Sequence, residues 1–255
     1  RTVEEHSVVL AAGQSFNDDS QLAFTRRFGE LEYDHVVFGR LGVKRYFYRI
    51  GNIDDEGKQL ESVHKHVRFS RGNEMWHSDS SFRPIPAKFS VSHAKEVSAE
   101  GGELEFVSAR VAYRELPDAL KQQLEGQVAI HDYVFSRSKV GPDAVTPSHA
   151  QSLPPVKQRL VRRNPVTGEL NYYIGSHARE IVGWDEQASR ALLDELLERA
   201  TAPERIYTHR WSAGDLLIWD NRCVLHRGRP FDADRHRRRM HQTRALCETN
   251  TLEEA

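Results

Sequence analysis

Cysteine, methionine and unbalanced charge are all scarce in this chain of 255 residues. Its two cysteines, Cys223 and Cys247, are too few for a disulfide framework and lack zinc-site spacing. They suit a reducing, cytoplasmic compartment. A formal net charge of −1 gives no field to draw in nucleic acid or an anionic membrane. No apolar run approaches the ~20 residues that span a bilayer. The opening Arg1-Thr-Val-Glu-Glu-His lacks the cationic-then-apolar pattern of a secretory leader. There is no Gly-rich phosphate loop and no internal repeat. Strands and helices do not alternate, which argues against a doubly wound α/β fold.

What is present, 38% hydrophobic residues over 255, is enough for one sizeable core, and we expect one domain over 1–255. Residues 7–13 read as a strand. Asn17 and Asp18 cap a helix whose apolar stripe is Leu22, Ala23, Phe24 and Phe28, ended by Gly29. Val36-Val-Phe, residues 46–50 and residues 88–95 are strand candidates, with a turn over 52–57. His64 and His66 alternate on an expected strand and, lacking a nearby carboxylate, read as solvated or substrate-lining. Ser108 and Pro117 open two short helices that stop at Gly126. Residues 138–158, with four prolines and no periodicity, form a lid or a connection. Asn171-Tyr-Tyr-Ile is a strand, and Asp185 caps a helix with a core stripe of Ala188, Leu192, Leu193, Leu196 and Leu197. The last strands fall at 205–211, 215–219, 222–226 and 237–244. Many short strands with sparse helices suit a mostly β, α+β architecture, a jelly roll with a site in its open mouth.

The chemistry concentrates in Gly72-Asn-Glu-Met-Trp-His-Ser-Asp-Ser-Ser-Phe82, which holds the sequence's one His-x-Asp. Alternate residues of a strand share a face, so His77 and Asp79 can approach one ion together. Most such pairs are merely solvated. A second His from a distant strand would complete a 2-His-1-carboxylate facial triad, leaving positions of an Fe(II) ion open for substrate and O2. His226, in the apolar run Leu216-Leu-Ile-Trp-Asp-Asn-Arg-Cys-Val-Leu-His, is the candidate. Arg237, Arg238 and Arg239 follow it.

Three segments in order, Trp76-His-Ser-Asp-Ser-Ser-Phe-Arg-Pro-Ile-Pro-Ala87, Gly101-Gly-Glu-Leu-Glu-Phe106 and Trp219-Asp-Asn-Arg-Cys-Val-Leu-His-Arg-Gly228, resemble the taurine/2,4-D dioxygenase (TauD/TfdA) family. Within it, the chain is most similar to the aryloxyalkanoate-cleaving branch. The resemblance covers nearly the whole chain and implies a double-stranded β-helix, metal ligands His77, Asp79 and His226, and 2-oxoglutarate and O2 as cosubstrates. It implies hydroxylation of a small molecule with release of succinate and CO2, and no chlorination, because Asp79 fills the position that halogenating relatives leave to chloride. For an aryloxyalkanoic acid, hydroxylation beside the ether oxygen gives a hemiketal that collapses to a phenol and an oxo-acid. In relatives, the region matching 138–158 lies over the active-site mouth.

The far carboxylate of 2-oxoglutarate needs a fixed cation, and Arg offers a bidentate fork. The three arginines lie 11, 12 and 13 residues after His226. Aligning Met240 with the family's apolar position selects Arg238, and strand alternation then sends Arg237 and Arg239 to the other face. Two departures stand out. Leu104 occupies a position where the family usually has a Thr hydroxyl on the cosubstrate, and Gln242 replaces an Arg often used for anionic substrates. Anchoring is therefore rearranged or weakened. Asn73 matches a pocket-lining position, and Arg83 and His241 are candidate cations for a substrate carboxylate. The resulting expectation is a mostly apolar, aromatic small molecule. A taurine-type sulfonate or sulfate ester, a metal-binding jelly roll without oxygenase activity, and a zinc hydrolase remain open readings, as does a homo-oligomer.

Overall fold

The computed structural model describes residues 1–37, 40–141, 144–145 and 147–254; for 34–37, 40–44 and 148–149 it describes the backbone alone. Two antiparallel sheets frame the site. The larger has the strand order Val8–Ala11, Leu216–Asp220, Ala87–Glu96, Arg239–Leu246 and Tyr48–Gly51. The smaller sets Leu104–Ser108 between Tyr207–His209 and Val224–Gly228. A third sheet joins Ala178–Ile181, Val128–His131 and Val156–Arg159. Helix contributes 29% and strand 28%, so the helices are less sparse than the sequence suggests.

Alternation divides the large sheet into two unlike faces. Phe89, Val91, Leu216 and Ile218 form an outer apolar face with Phe16, Phe24 and Phe28. The inner face carries Leu217 and Trp219, which pack on Leu104, Phe106 and Val224 of the small sheet. It also carries Ser90, Ser92, Gln242 and Arg244, all turned toward the site.

The Asp18–Thr25 helix covers the outer face differently from its expected stripe. Asn17 caps it, accepting from the Ser20 N–H at 2.8 Å. Its buried residues are Gln21 and Thr25; Ala23 is exposed, and Leu22 and Phe24 are half-buried. The polar residues go inward because the sheet offers partners there. Gln21 donates to the carbonyls of Val91 and His241, and the Thr25 hydroxyl meets that of Thr243 at 2.7 Å. In the Glu186–Ala200 helix, capped by Asp185, Leu192, Leu193 and Leu196 are buried as expected. Ala188 is exposed, and Ser189 is buried instead because its hydroxyl accepts the Ile181 N–H at 3.1 Å.

Other expectations shift locally. Lys65–Ser70 is a helix, not a strand, and His64 is its cap, its Nδ1 accepting from the His66 N–H. A short helix over Thr2–His6 precedes the first strand. Within 138–158, a helix at Pro147–Ser152 and a strand from Val156 replace a structureless stretch, while Pro142, Asp143 and Thr146 lie outside the described residues, as does Phe38 of the early strand.

Asn52 fixes the start of the strand that carries the arginines. Its Oδ1 accepts the Arg238 N–H at 2.8 Å and its own N–H donates to the Arg238 carbonyl at 3.0 Å. Its amide also donates to the carbonyls of Ala233 and His236. This close approach needs Gly51, whose φ is 134° and where a Cβ would overlap the Arg238 carbonyl. Gly51→Ala is expected to lower the unfolding free energy by about 1–3 kcal/mol in chemical denaturation, the usual size of stored backbone strain; a neutral result would show that the approach relaxes freely.

Candidate metal centre

His77, Asp79 and His226 meet between the two sheets, with one ligand atom from each lying within 4.8 Å of the others. His77 and His226 form a two-residue bridge, exchanging backbone hydrogen bonds of 3.0 and 2.9 Å. Asp79 does not continue a strand; it lies in a turn ahead of Ser80, whose φ is 55°. The shared orientation of His77 and Asp79 therefore comes from the turn and its anchors. The Asp79 N–H donates to Asn221 Oδ1 at 3.1 Å, the Asn221 amide donates to the Ser90 hydroxyl at 2.8 Å, and the Ser78 hydroxyl donates to the Val224 carbonyl.

The inner face of the large sheet grips the carboxylate. Arg244 Nη2 donates to Asp79 Oδ1 at 2.7 Å, while the Ser90 hydroxyl and Gln242 Nε2 donate to Oδ2 at 2.7 and 2.8 Å. A carboxylate accepts about four hydrogen bonds, so Oδ1 keeps a lone pair. Burial alone would push this carboxyl up, but Arg244, then His226, His77 and the Ser90 hydroxyl, bring it down to about 2. Burial pushes His226 down to about 3 and lowers His77 as well. Met75's carbonyl lies 2.7 Å from His77 Nδ1. A carbonyl only accepts, so Nδ1 carries the proton and Nε2 presents a lone pair, the tautomer a metal needs.

A cavity opens from these residues to Asn73, Leu104, Trp211, Arg229, Phe231, Arg238 and Gln242 among others. Arg238 is buried, and burial lowers its guanidinium to about 10. Its one side-chain hydrogen bond goes to the Gly102 carbonyl at 3.2 Å, and no carboxylate among the described residues pairs with it. Arg237 and Arg239 both turn to Glu96, at 2.8 and 3.0 Å. A buried cation offset only in part by the charge of Glu103, with which it forms no ion pair, beside a set of metal-competent groups fits an anionic ligand.

The family model described as "Taurine catabolism dioxygenase TauD, TfdA family" matches residues 1–244. The chain belongs to this family. Its class is accordingly that of the 2-oxoglutarate-dependent non-haem iron dioxygenases. It is 38% identical over 239 residues to the alpha-ketoglutarate-dependent 2,4-dichlorophenoxyacetate dioxygenase of Burkholderia sp. (strain RASC), covering 92% of this chain and 80% of that protein. It is 34% identical over 245 residues to the (S)-phenoxypropionate/alpha-ketoglutarate-dioxygenase of Sphingobium herbicidovorans, covering 93% and 81%. Among solved structures, AAD-2 in complex with Mn(II) and N-oxalylglycine superposes with a TM-score of 0.88 at 36% identity, covering 98% of this chain and 88% of that one.

Within this TauD/TfdA-family site the remaining candidates fall in unequal places. Asn73 and Leu104 line the cavity. Gln242 lines it too, but its amide nitrogen donates to Asp79, and the cation that reaches Asp79 from that face is Arg244, two residues on. Arg83, expected at the substrate, lies with its Nε 3.2 Å from Glu32 and is not part of the cavity wall. His241 points to the outer face, 2.9 Å from Asp18. Sequence reasoning missed Arg244, although the alternation that turns Arg237 and Arg239 away also turns residues 240, 242 and 244 inward. It also missed Arg137, which is buried, stacks on Phe69 and donates to Asn73 Oδ1 at 2.9 Å.

Because the carboxylate ionises near 2 and His226 protonates near 3, protons compete poorly with a metal at neutral pH. Mn(II) affinity is expected to change by less than about threefold between pH 6 and 8, and to be lost as stoichiometric binding in His77→Ala and in His226→Ala. Calorimetry reads both; a steep fall in affinity toward pH 6 would contradict the ordering of these groups.

Proposed function

We propose that His77, Asp79 and His226 hold Fe(II), that Arg238 anchors the far carboxylate of 2-oxoglutarate, and that the enzyme hydroxylates a small aryloxyalkanoate-like acid beside its ether oxygen. The observation that carries this reading is the unpaired buried guanidinium of Arg238 in the same cavity as the three metal-competent groups. Iron and cosubstrate together supply the oxidising power, taking O2 and 2-oxoglutarate to succinate, CO2 and a hydroxylated product. The chain's own part is to orient and exclude water. Trp219 and Phe106 wall His226 with ring centroids 4.9 and 5.9 Å away, and the buried sheet faces keep solvent from the reacting end.

The substrate end follows from the rest of the cavity. Ile50, Leu104, Phe231 and Met240 offer an apolar wall. Arg137 occupies the oxygen of the Asn73 amide, which leaves its NH2 as the group that meets an ether or carboxylate oxygen. Arg229, half-exposed at the rim with its Nε 3.7 Å from Glu105, is on the cavity wall and supplies a cation there, where Arg83 and His241 do not. A carboxylate is thus bound without the Arg that Gln242 replaces. With Asp79 filling its coordination position, the product carries a hydroxyl and no chlorine.

We further infer that 1–255 is one domain whose two framing sheets form the double-stranded β-helix of the family. Residues 138–158 are our lid candidate, supported by Leu153 packing on Phe82 and Tyr133, with Phe82 lying 4.7 Å from His177 beside the centre. Both cysteines are free and buried, in keeping with a cytoplasmic location, and no described helix is long and apolar enough to cross a membrane. We assign no nucleic-acid partner.

Succinate release across aryloxyalkanoic acids, their neutral amides and short alkylsulfonates tests the substrate class. The acids are expected to turn over best, to a phenol and an oxo-acid; turnover of the sulfonates alone would replace this reading by a taurine-type one. Arg238→Ala is expected to raise the 2-oxoglutarate KM at least about tenfold, since a charge-assisted hydrogen bond contributes roughly 1.5–3 kcal/mol, while Arg237→Ala leaves it unchanged. The reverse pattern would move the anchor one residue back.

A further inference from the structure

Leu104 leaves the cosubstrate short of a donor. Arg238 provides one fork, but a carboxylate accepts about four hydrogen bonds, and the side chain at 104 has no hydroxyl to add. A second donor lies next to Arg238. Tyr207–His209 runs antiparallel to Leu104–Phe106 with His209 opposite Leu104, and Trp211 follows two residues beyond the end of that strand. Gly102 is where Arg238 docks: its carbonyl accepts from Nη2 at 3.2 Å, and a Cβ there would stand 3.0 Å from Nε. Indole, glycine and guanidinium line one cavity.

Trp211 lines the metal cavity together with Leu104 and Arg238, and it lines the neighbouring cavity of about 340 Å³ together with Gly101, Gly102 and Arg238. Its ring packs on the cluster of Leu104, Phe106, Leu217 and Trp219, and the His209 ring stands edge-on to it at 4.6 Å. Its Nε1–H is buried and has no acceptor among the described residues. The indole N–H groups of Trp219 and Trp184, by contrast, have Asn221 Oδ1 and Gln127 Oε1 at 3.0 and 3.1 Å. A buried donor left unpaired is unfavourable, and tryptophan normally finds a partner for it.

We propose that the Trp211 indole N–H is the second donor to the far carboxylate of 2-oxoglutarate, replacing the hydroxyl that Leu104 lacks. This rests on the assignment of Arg238 above. It assigns Trp211 a specificity role: a neutral, directional donor adds to the preference for a dicarboxylate without adding charge to a site that already holds several arginines.

The test is calorimetric binding to the Mn(II)-loaded enzyme, with no turnover, of 2-oxoglutarate and of 2-oxopentanoate, which keeps the chelating end and lacks the far carboxylate. Trp211→Phe keeps an aromatic side chain, smaller than the indole, and removes the N–H. It is expected to weaken 2-oxoglutarate about tenfold and to leave 2-oxopentanoate unchanged, with Leu104→Thr restoring most of the loss in the double variant. Unaltered 2-oxoglutarate binding, or equal loss of both ligands, would overturn the proposal. If Trp211→Phe no longer melts cooperatively, Leu104→Thr alone decides: less than about twofold gain is expected with the indole already serving the carboxylate, and a tenfold gain overturns it. Arg238→Ala separates the two assignments. Should that variant keep its preference for 2-oxoglutarate over 2-oxopentanoate, the reading of Arg238 fails on its own.

Discussion

A buried carboxylate has to be surrounded by donors, and the neighbourhood of Asp79 is organised by that requirement. Arg244 and Gln242 from one strand and Ser90 from its neighbour converge on its two oxygens. They do so because the inner face of the large sheet is polar where the site lies and apolar where Leu217 and Trp219 pack on the small sheet. The same clamp keeps the group ionised and aimed at His77 and His226. Removing one donor would leave the remaining charge less compensated, which is costlier than never having buried it.

The second constraint is charge at a distance from the metal. Arg238 is held by its backbone on Asn52 and by Gly102, not by a carboxylate, so its positive end is reserved. Arg137 is likewise buried without a carboxylate partner among the described residues, and its donors go to Asn73, the Phe69 carbonyl and the Tyr133 hydroxyl. Cations held this way raise the free energy of a site that lacks an anion and lower that of an anionic complex.

Much of this was legible in the residues, for identifiable reasons. Strand alternation separates Arg238 from its two neighbours because only the even positions face inward, and the Leu192, Leu193 and Leu196 spacing can be buried only by a helix against a core. The His-x-Asp pair was found for a reason that holds only in part: the two side chains converge through a turn with Ser80 in the left-handed region, a geometry that no periodicity encodes. The Lys65–Ser70 helix escaped because six residues carry too little pattern, and its cap is a histidine, outside the usual capping set. Gln21 and Thr25 fall outside the expected stripe because their partners are backbone and hydroxyl groups of strands 70 to 220 residues away in sequence. Arg137 gave no signal, since its role depends on Asn73 being brought to it.

The central claim is that His77, Asp79, His226 and Arg238 form one iron and 2-oxoglutarate site. Anaerobic titration with Fe(II), with and without 2-oxoglutarate, tests it directly through the visible charge-transfer band of the chelate. The account predicts a band that needs both components, saturates at one iron per chain and is absent from His226→Ala. No band in the native protein, or an undiminished band in that variant, would contradict it.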